Sequence, residues 1–238
     1  MERRVAAVDM GINNFICMTN NVGDNPVIVK GGALKSMYTY YQTEKKRLQE
    51  ELTRKQPGRE CSKRLSNLSR KYHNKVTDWL IQVSKIVTQH CDIWNVDTLI
   101  VGDGGMNTVN DYEQCMKGEE NILFWFMAIL KKQCQKMGIT VIVVDESYTT
   151  GTSFLDGEHP NKQCYDNTRN NGRLFCAGDG SVINGDVNAS YQIMKKVYPE
   201  LFGNDLSMYE LQPVICRIRR DGTIRIGEEG GAKHGKYV

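Results

Sequence analysis

Apolar residues recur every three or four positions along one stretch of the chain: Leu65, Leu68, Tyr72, Val76, Leu80, Val83 and Ile86. That period is the stripe of an amphipathic helix, and it predicts one long helix from Ser62 to about His90. A second helix is expected from Lys35 to about Leu52, ended by Pro57-Gly58. The opening residues follow a different pattern. Val5–Val8, Asn13–Thr19 and Pro26–Lys30 are short β-prone runs, separated by the turn signals Gly11 with Asn13-Asn14 and Gly23 with Asn25-Pro26. They predict a three-stranded antiparallel meander. Further on, Val96–Val101 reads as a buried strand, Asn121–Met137 as a helix stopped by Gly138, and Ile139–Val144 as another buried strand. Strand, helix, strand implies a parallel crossover. From Ser147 to about Asp179 the periodicity vanishes in a stretch rich in Gly, Asn, Asp and Thr, which reads as an irregular insertion. Asp186 then opens an amphipathic helix that runs to about Val197, before Pro199. The last residues, RIRRDGTIRIGEEGGAKHGKYV, suggest a short strand or hairpin followed by a basic tail.

This order of elements belongs to an α/β protein. By analogy it is that of the ribonuclease H-like fold, with a mixed five-stranded sheet in the order 3-2-1-4-5 and its first, fourth and fifth strands parallel.

Composition narrows the picture only a little. At 238 residues the chain can bury a large core without staples. A formal charge of +3 permits a nucleic-acid partner without requiring one. The eight cysteines (17, 61, 91, 115, 134, 164, 176 and 216) lack the spacing of a secreted framework. They are expected to be free thiols in a reducing, cytoplasmic setting. No CxxC pair is present, so no zinc is expected. The amino terminus lacks a signal-peptide pattern, and no apolar run is long enough for a membrane partner to be expected. His73, His90, His159 and His234 are scattered without ligand spacing.

Chemistry concentrates at three carboxylates. Asp9 ends the first strand, Glu146 follows the fifth, and Asp186 begins the last helix. Each alone is an ordinary turn or cap residue. Together, on separate elements that can converge, they offer the oxygen ligands that Mg²⁺ or Mn²⁺ takes. Two such ions clamp the attacking and leaving oxygens of an in-line phosphoryl displacement.

The blocks VAAVDMGINN, GGALKSMYTYYQTEKKRLQEEL with SKRLSNLSRKYHNKV, GITVIVVDESYTT and DGSVINGDVNASYQIMKK occur in that order. In this they resemble the RuvC nuclease part of the TnpB family, transposon-encoded relatives of type V CRISPR effectors. The resemblance implies a RuvC-like domain over residues 1–200, with a helical insertion at about 35–90 and the irregular insertion at about 147–180. Residues 201–238 form an extension. It also implies an RNA-guided DNA endonuclease that uses Mg²⁺ or Mn²⁺ in a two-metal mechanism. Asp9 would bridge both ions, while Glu146 and Asp186 each help hold one.

There are three departures from the family pattern. The recognition region that precedes the first nuclease block in the family is not in this sequence, and a separate polypeptide is one expected source of it. The CxxC pairs of the family's zinc ribbon are absent from the insertion. The glutamate that ends the fourth strand in the family is replaced, in TLIVGDGG, by Gly102. Asp103 is next to it but points to the opposite face of a strand. Glu146 lies one strand further out, about 10 Å from the first strand. With Gly102 clearing the way between them, Glu146 is the expected replacement.

Nucleic-acid contacts are expected from the basic stretch 45–75, which holds eleven Lys and Arg against three Glu. Lys63, Arg64, Arg70 and Lys71 are the chief candidates, with Tyr148 and Thr149 beside Glu146 to hold substrate backbone. Tyr72 and Trp79 read as core. Two other readings remain open: a relative that binds nucleic acid without cutting it, and a different ribonuclease H-fold nuclease such as a junction resolvase.

Overall fold

The computed structural model describes residues 3–104, 122–171, 173–202, 206, 208–219, 222–228 and 231–232. In chain order the elements are β1 (Val5–Met10), β2 (Asn14–Asn20), β3 (Val27–Lys30), α1 (Gly32–Lys55), α2 (Lys63–Ile93), β4 (Thr98–Gly102), α3 (Ile122–Lys136) and β5 (Thr140–Val144). They continue as β6 (Leu174–Cys176), β7 (Val182–Asn184), α4 (Gly185–Val197), β8 (Val214–Ile218), β9 (Ile224–Glu228) and β10 (Gly231–Ala232).

The expected meander is present. β1 pairs antiparallel with β2, matching Asp9 to Cys17, and β2 pairs antiparallel with β3. β4 lies parallel to β1, and β5 parallel to β4. The order 3-2-1-4-5 therefore stands, but the sheet has eight described strands rather than five: β10-β9-β8-β3-β2-β1-β4-β5. β8 adds parallel to β3 and covers what would otherwise be an open sheet edge. Its apolar residues Ile215, Cys216 and Ile218 are buried, so this part of the carboxy-terminal segment joins the core. Residues 220–221, 229–230 and 233–238 of that segment, His234 included, lie outside the described residues, as does Cys115.

Alternation along β1 separates two layers. Ala6, Val8 and Met10 face α2 and α3, packing with Trp79, Leu80, Val83, Phe126 and Leu130. Val5 and Ala7 face α4, packing with Ile100, Ile193 and Met194. Fully burying each large apolar side chain contributes about 1.5–3 kcal/mol, which makes both faces of β1 strongly specified. Asp9 shares the parity of Val5 and Ala7, so it lies on the α4 face.

α4 is wedged between the sheet and the insertion, and its residues from Val187 to Met194 are all buried. Its polar side chains are bound on both sides. Ser190 accepts from or donates to Thr19 at 2.9 Å, and its hydroxyl lies 3.0 Å from the Ala7 carbonyl. Between β5 and α4 lie a two-stranded antiparallel sheet, β6 with β7, and a 3₁₀ turn at Asn167–Arg169. The rest is irregular, as expected.

α1 and α2 form a long hairpin. Only Leu34 is buried in α1, and burial in α2 begins at Val76. Tyr41 stacks on Tyr72 at 4.3 Å where the two helices meet. No described helix is long and apolar enough to cross a membrane.

Candidate active site

Asp9 sits near the carboxyl end of β1, half-buried under the first turn of α4. Burial pushes its carboxyl well above the usual range. Asp186 and Glu146 push it further by repulsion, and a hydrogen bond from the Met10 backbone opposes them. Asp9 thus feels the charge of both other carboxylates singled out in the sequence.

Asp186 is placed by its neighbours. Asn184 caps α4, its side-chain oxygen accepting from the amides of Asp186 at 3.0 Å and Val187 at 3.3 Å. Because Asn184 is the cap, the Asp186 carboxylate is left for other partners. Asn14 donates to Asp186 Oδ2, and Lys30 Nζ donates to Asn14 Oδ1 at 2.7 Å. Sequence reasoning misses Asn14 and Lys30. Asn14 lies in the VAAVDMGINN block but reads as a turn residue, since a Gly-x-Asn-Asn run is ordinary turn chemistry. Cys17, opposite Asp9, likewise reads only as a buried thiol. Burial raises its pKa, with Asp186 and Asp9 adding to the effect and Lys30 opposing it.

Glu146 reaches the site from beyond β5. A Cβ built on Gly102 would lie 2.9 Å from Glu146 Oε2, 3.5 Å from its Cβ and 2.8 Å from Ile193 Cδ1. The glutamate thus overlies the glycine. Among the described residues its Oε2 is buried without a hydrogen-bond partner, an arrangement that costs free energy unless something binds there. Burial raises the Glu146 carboxyl, a hydrogen bond from the Gly104 backbone lowers it, Asp103 and Asp145 raise it, and Lys196 lowers it. Asp103 behaves as a loop residue, its Oδ1 accepting from the Glu146 amide at 3.4 Å. Asp145 points to solvent and pairs with Lys196 at 3.3 Å.

Among the described residues, no three His, Cys, Asp or Glu side chains close around one point as a ready-made metal cage. The donors nevertheless suit a hard divalent cation: all are carboxylate oxygens, two of them are pushed up by burial, and one oxygen is orphaned.

The other candidates divide. Lys63, Arg64, Arg70 and Lys71 are exposed on the protruding half of α2, with Arg64 paired to Glu51 at 3.4 Å. At 1.5 Å per residue they stand about 7–20 Å along the helix from Val76. α2 covers the sheet face opposite Asp9, so these cations are not brought to the carboxylates. Thr149 requires a correction. It is fully buried, and its hydroxyl donates to the Glu146 carbonyl at 2.7 Å, so it holds the turn instead of facing substrate. Tyr148 remains 39% exposed, with φ at 72°. A left-handed backbone costs a non-glycine residue about 1–2 kcal/mol. Its edge-to-face contact with Tyr165, at 5.6 Å, returns roughly 0.5–1.5 kcal/mol. Tyr38 and Tyr40 are exposed on α1, while Trp79 is core.

The insertion is tied down by ion pairs and a polar ladder. Arg169 donates to Glu158 at 2.7 Å, Asp156 at 3.3 Å and the Cys164 carbonyl at 3.3 Å, and lies over the Phe175 ring. On α4, Asn188, Gln192 and Lys195 donate to the carbonyls of Thr152, Glu158 and Gly157. The loop that follows Glu146 is thereby clipped to the helix that carries Asp186.

Two family models match the chain in succession. A probable transposase family, OrfB_IS605, matches residues 2–108, and a Cas12f1-like TNB domain matches residues 125–193. Over these two stretches the chain is similar to those families, in keeping with the TnpB resemblance of its sequence blocks. Asp9 lies in the first match, Glu146 and Asp186 in the second. No curated protein sequence matches the chain significantly. Its fold is similar to that in a cryo-EM structure of a Cas12f1-sgRNA-target DNA complex. That match has a TM-score of 0.55 and 11% identity, and covers 80% of this chain and 49% of the other. A CRISPR-Cas12f ternary complex matches with a TM-score of 0.53 and 12% identity, over 80% of this chain and 38% of the other. The chain therefore spans about half or less of the length of these two proteins.

Proposed function

We propose that the chain is the nuclease part of a TnpB-type, RNA-guided DNA endonuclease with a ribonuclease H-like (RuvC) fold. Asp9, Glu146 and Asp186 are its Mg²⁺ or Mn²⁺ ligands. The observation that carries this reading is the buried Glu146 Oε2, without a hydrogen-bond partner among the described residues, turned inward over Gly102 and repelling Asp9 together with Asp186. Mutual repulsion among buried carboxylates is relieved by divalent cations. The 3-2-1-4-5 order, with strands 1, 4 and 5 parallel, supports the fold assignment. The nucleic acids named for the Cas12f1 complex support DNA and guide RNA as partners.

Bound divalent cations would supply charge neutralisation for an in-line phosphodiester displacement. The chain's own residues prepare that site. Asn14 fixes one oxygen of Asp186, and Lys30 anchors Asn14 from behind. Gly102 leaves room for Glu146, whose amide is held by Asp103 and whose carbonyl is held by Thr149. α4 carries Asp186, and its hydrogen bonds to the insertion hold the loop after Glu146 beside it.

The test is cleavage of labelled single-stranded DNA with Mg²⁺ or Mn²⁺, by protein purified with any RNA it retains. Asp9→Ala, Glu146→Ala and Asp186→Ala should each abolish cutting while preserving the melting transition. If Asp103→Ala abolished cutting and Glu146→Ala did not, the assignment of the third carboxylate would be overturned. Metal-independent binding with no turnover would instead identify a relative that binds nucleic acid without cutting it.

A further inference from the structure

Two residues beyond Glu146 the chain takes an unusual course. Tyr148 adopts φ of 72°, a conformation that glycine enters freely and an aromatic residue rarely does. Nearby, Gly151 has an ordinary backbone, yet a Cβ there would run into the Tyr165 ring. Glycine at 151 is therefore needed for what it lets in and not for its own conformation. A tyrosine stands where glycine would be easier, and a glycine stands where any residue would otherwise do. Both choices bring the rings of Tyr148 and Tyr165 together.

The pair is held firmly. The Thr149 amide donates to the Glu146 carbonyl at 3.2 Å, and Thr152 Oγ1 donates to the Tyr148 carbonyl at 2.8 Å. The Asp166 amide donates to the Gly151 carbonyl at 2.8 Å, which fixes the chain next to Tyr165. The rings meet edge to face at 74°, and each tyrosine stays 39% exposed. Rigid, half-open aromatic faces are how proteins bind unpaired bases without reading sequence, since every base has a face to stack.

We propose that Tyr148 and Tyr165 form a stacking ledge for an unpaired base of single-stranded DNA, next to the phosphate presented to Glu146. This deepens the nuclease reading, on which it rests for the position of that phosphate. It replaces the backbone contact expected of Tyr148 with a base contact, and it adds Tyr165, which the sequence does not single out because the insertion has no period.

The experiment uses the full chain in EDTA, where no cutting occurs. Fluorescence anisotropy measures its affinity for a labelled thymidine oligonucleotide and for an abasic oligonucleotide of the same length and charge. The wild type should prefer the base-bearing strand by at least about fivefold. Tyr148→Gly and Tyr165→Ala should each lose that preference while binding the abasic strand as the wild type does. Tyr148→Gly also removes the backbone strain, so it should melt no lower than the wild type. A lower melting temperature with the base preference intact would mean that the ring only packs, and would overturn the proposal. Equal affinity of the wild type for both strands, or no binding of either, would overturn it too. The nuclease reading is scored separately, by cutting with Mg²⁺. Loss of base preference in the variants of a protein that never cuts would leave the ledge standing and the nuclease reading refuted. Cutting with unchanged preference in the variants would do the reverse.

Discussion

Glu146 Oε2 lies 2.9 Å from the point where a Cβ on Gly102 would sit. One carboxylate has thus taken over space on a neighbouring strand that the neighbour left empty. The register is what permits it. Gly102 pairs with Val144 at the ends of β4 and β5, so Glu146, two residues further along, is directed back over the glycine.

Gly102→Ala is therefore expected to displace Glu146 and press on Ile193. Overpacking of this kind costs about 1–3 kcal/mol. Cutting should fall much further than the melting temperature suggests, because the orphaned oxygen loses its place. A cleavage assay beside a thermal melt checks this, and wild-type activity in the alanine variant would refute it.

Asp9 should show in the pH dependence of stability. Its folded pKa is raised by burial, Asp186 and Glu146, whereas unfolded Asp titrates near 3.9. A raised folded pKa means that Asp9 contributes most below the unfolded value, and that the contribution is lost as pH rises through the folded value. Without divalent metal, Asp9→Asn should therefore be more stable than wild type at neutral pH, with the gap closing as the pH falls toward about 4. Adding Mn²⁺ at neutral pH should raise the wild-type melting temperature more than that of the variant. A gap that stays constant with pH would contradict the buried, repelled carboxylate.

Arg169 organises the insertion, whose sequence lacks the CxxC pairs of a zinc ribbon. It is one-fifth exposed and holds Glu158 and Asp156 together. Arg169→Met should destabilise the insertion by about 1–3 kcal/mol, leaving two carboxylates without their cationic partner. Arg169→Lys should not rescue it, since an ammonium lacks the planar fork. Hydrogen exchange over residues 150–180 should rise in both variants while exchange in β1 and β4 stays slow.

Changing Lys63, Arg64, Arg70 and Lys71 together to Ala should weaken nucleic-acid binding and flatten its salt dependence. The slope of log K against log salt should fall by about 0.7 for each single-strand phosphate that these side chains no longer neutralise. Anisotropy at several salt concentrations measures it, and an unchanged slope would remove this surface from the interface.

The sequence alone determined whatever depends on local period and local chemistry. The apolar stripe from Leu65 to Ile86 marked α2, β-branched runs marked β4 and β5, and Asn and Gly marked the turns of the meander. The blocks around Asp9, Glu146 and Asp186 pointed to the family. Only tertiary structure decided the rest, because it depends on residues distant in the chain. Asn14 meets Asp186 across 172 positions, and no local pattern records that contact. β8 joins the edge of β3 through pairing between segments nearly two hundred residues apart. Thr149 reads as polar and available, yet packing buries it and turns its hydroxyl onto a backbone carbonyl. The inward aim of Glu146 likewise follows from strand register and from the bare α-carbon of Gly102, which act on each other only once the sheet has formed.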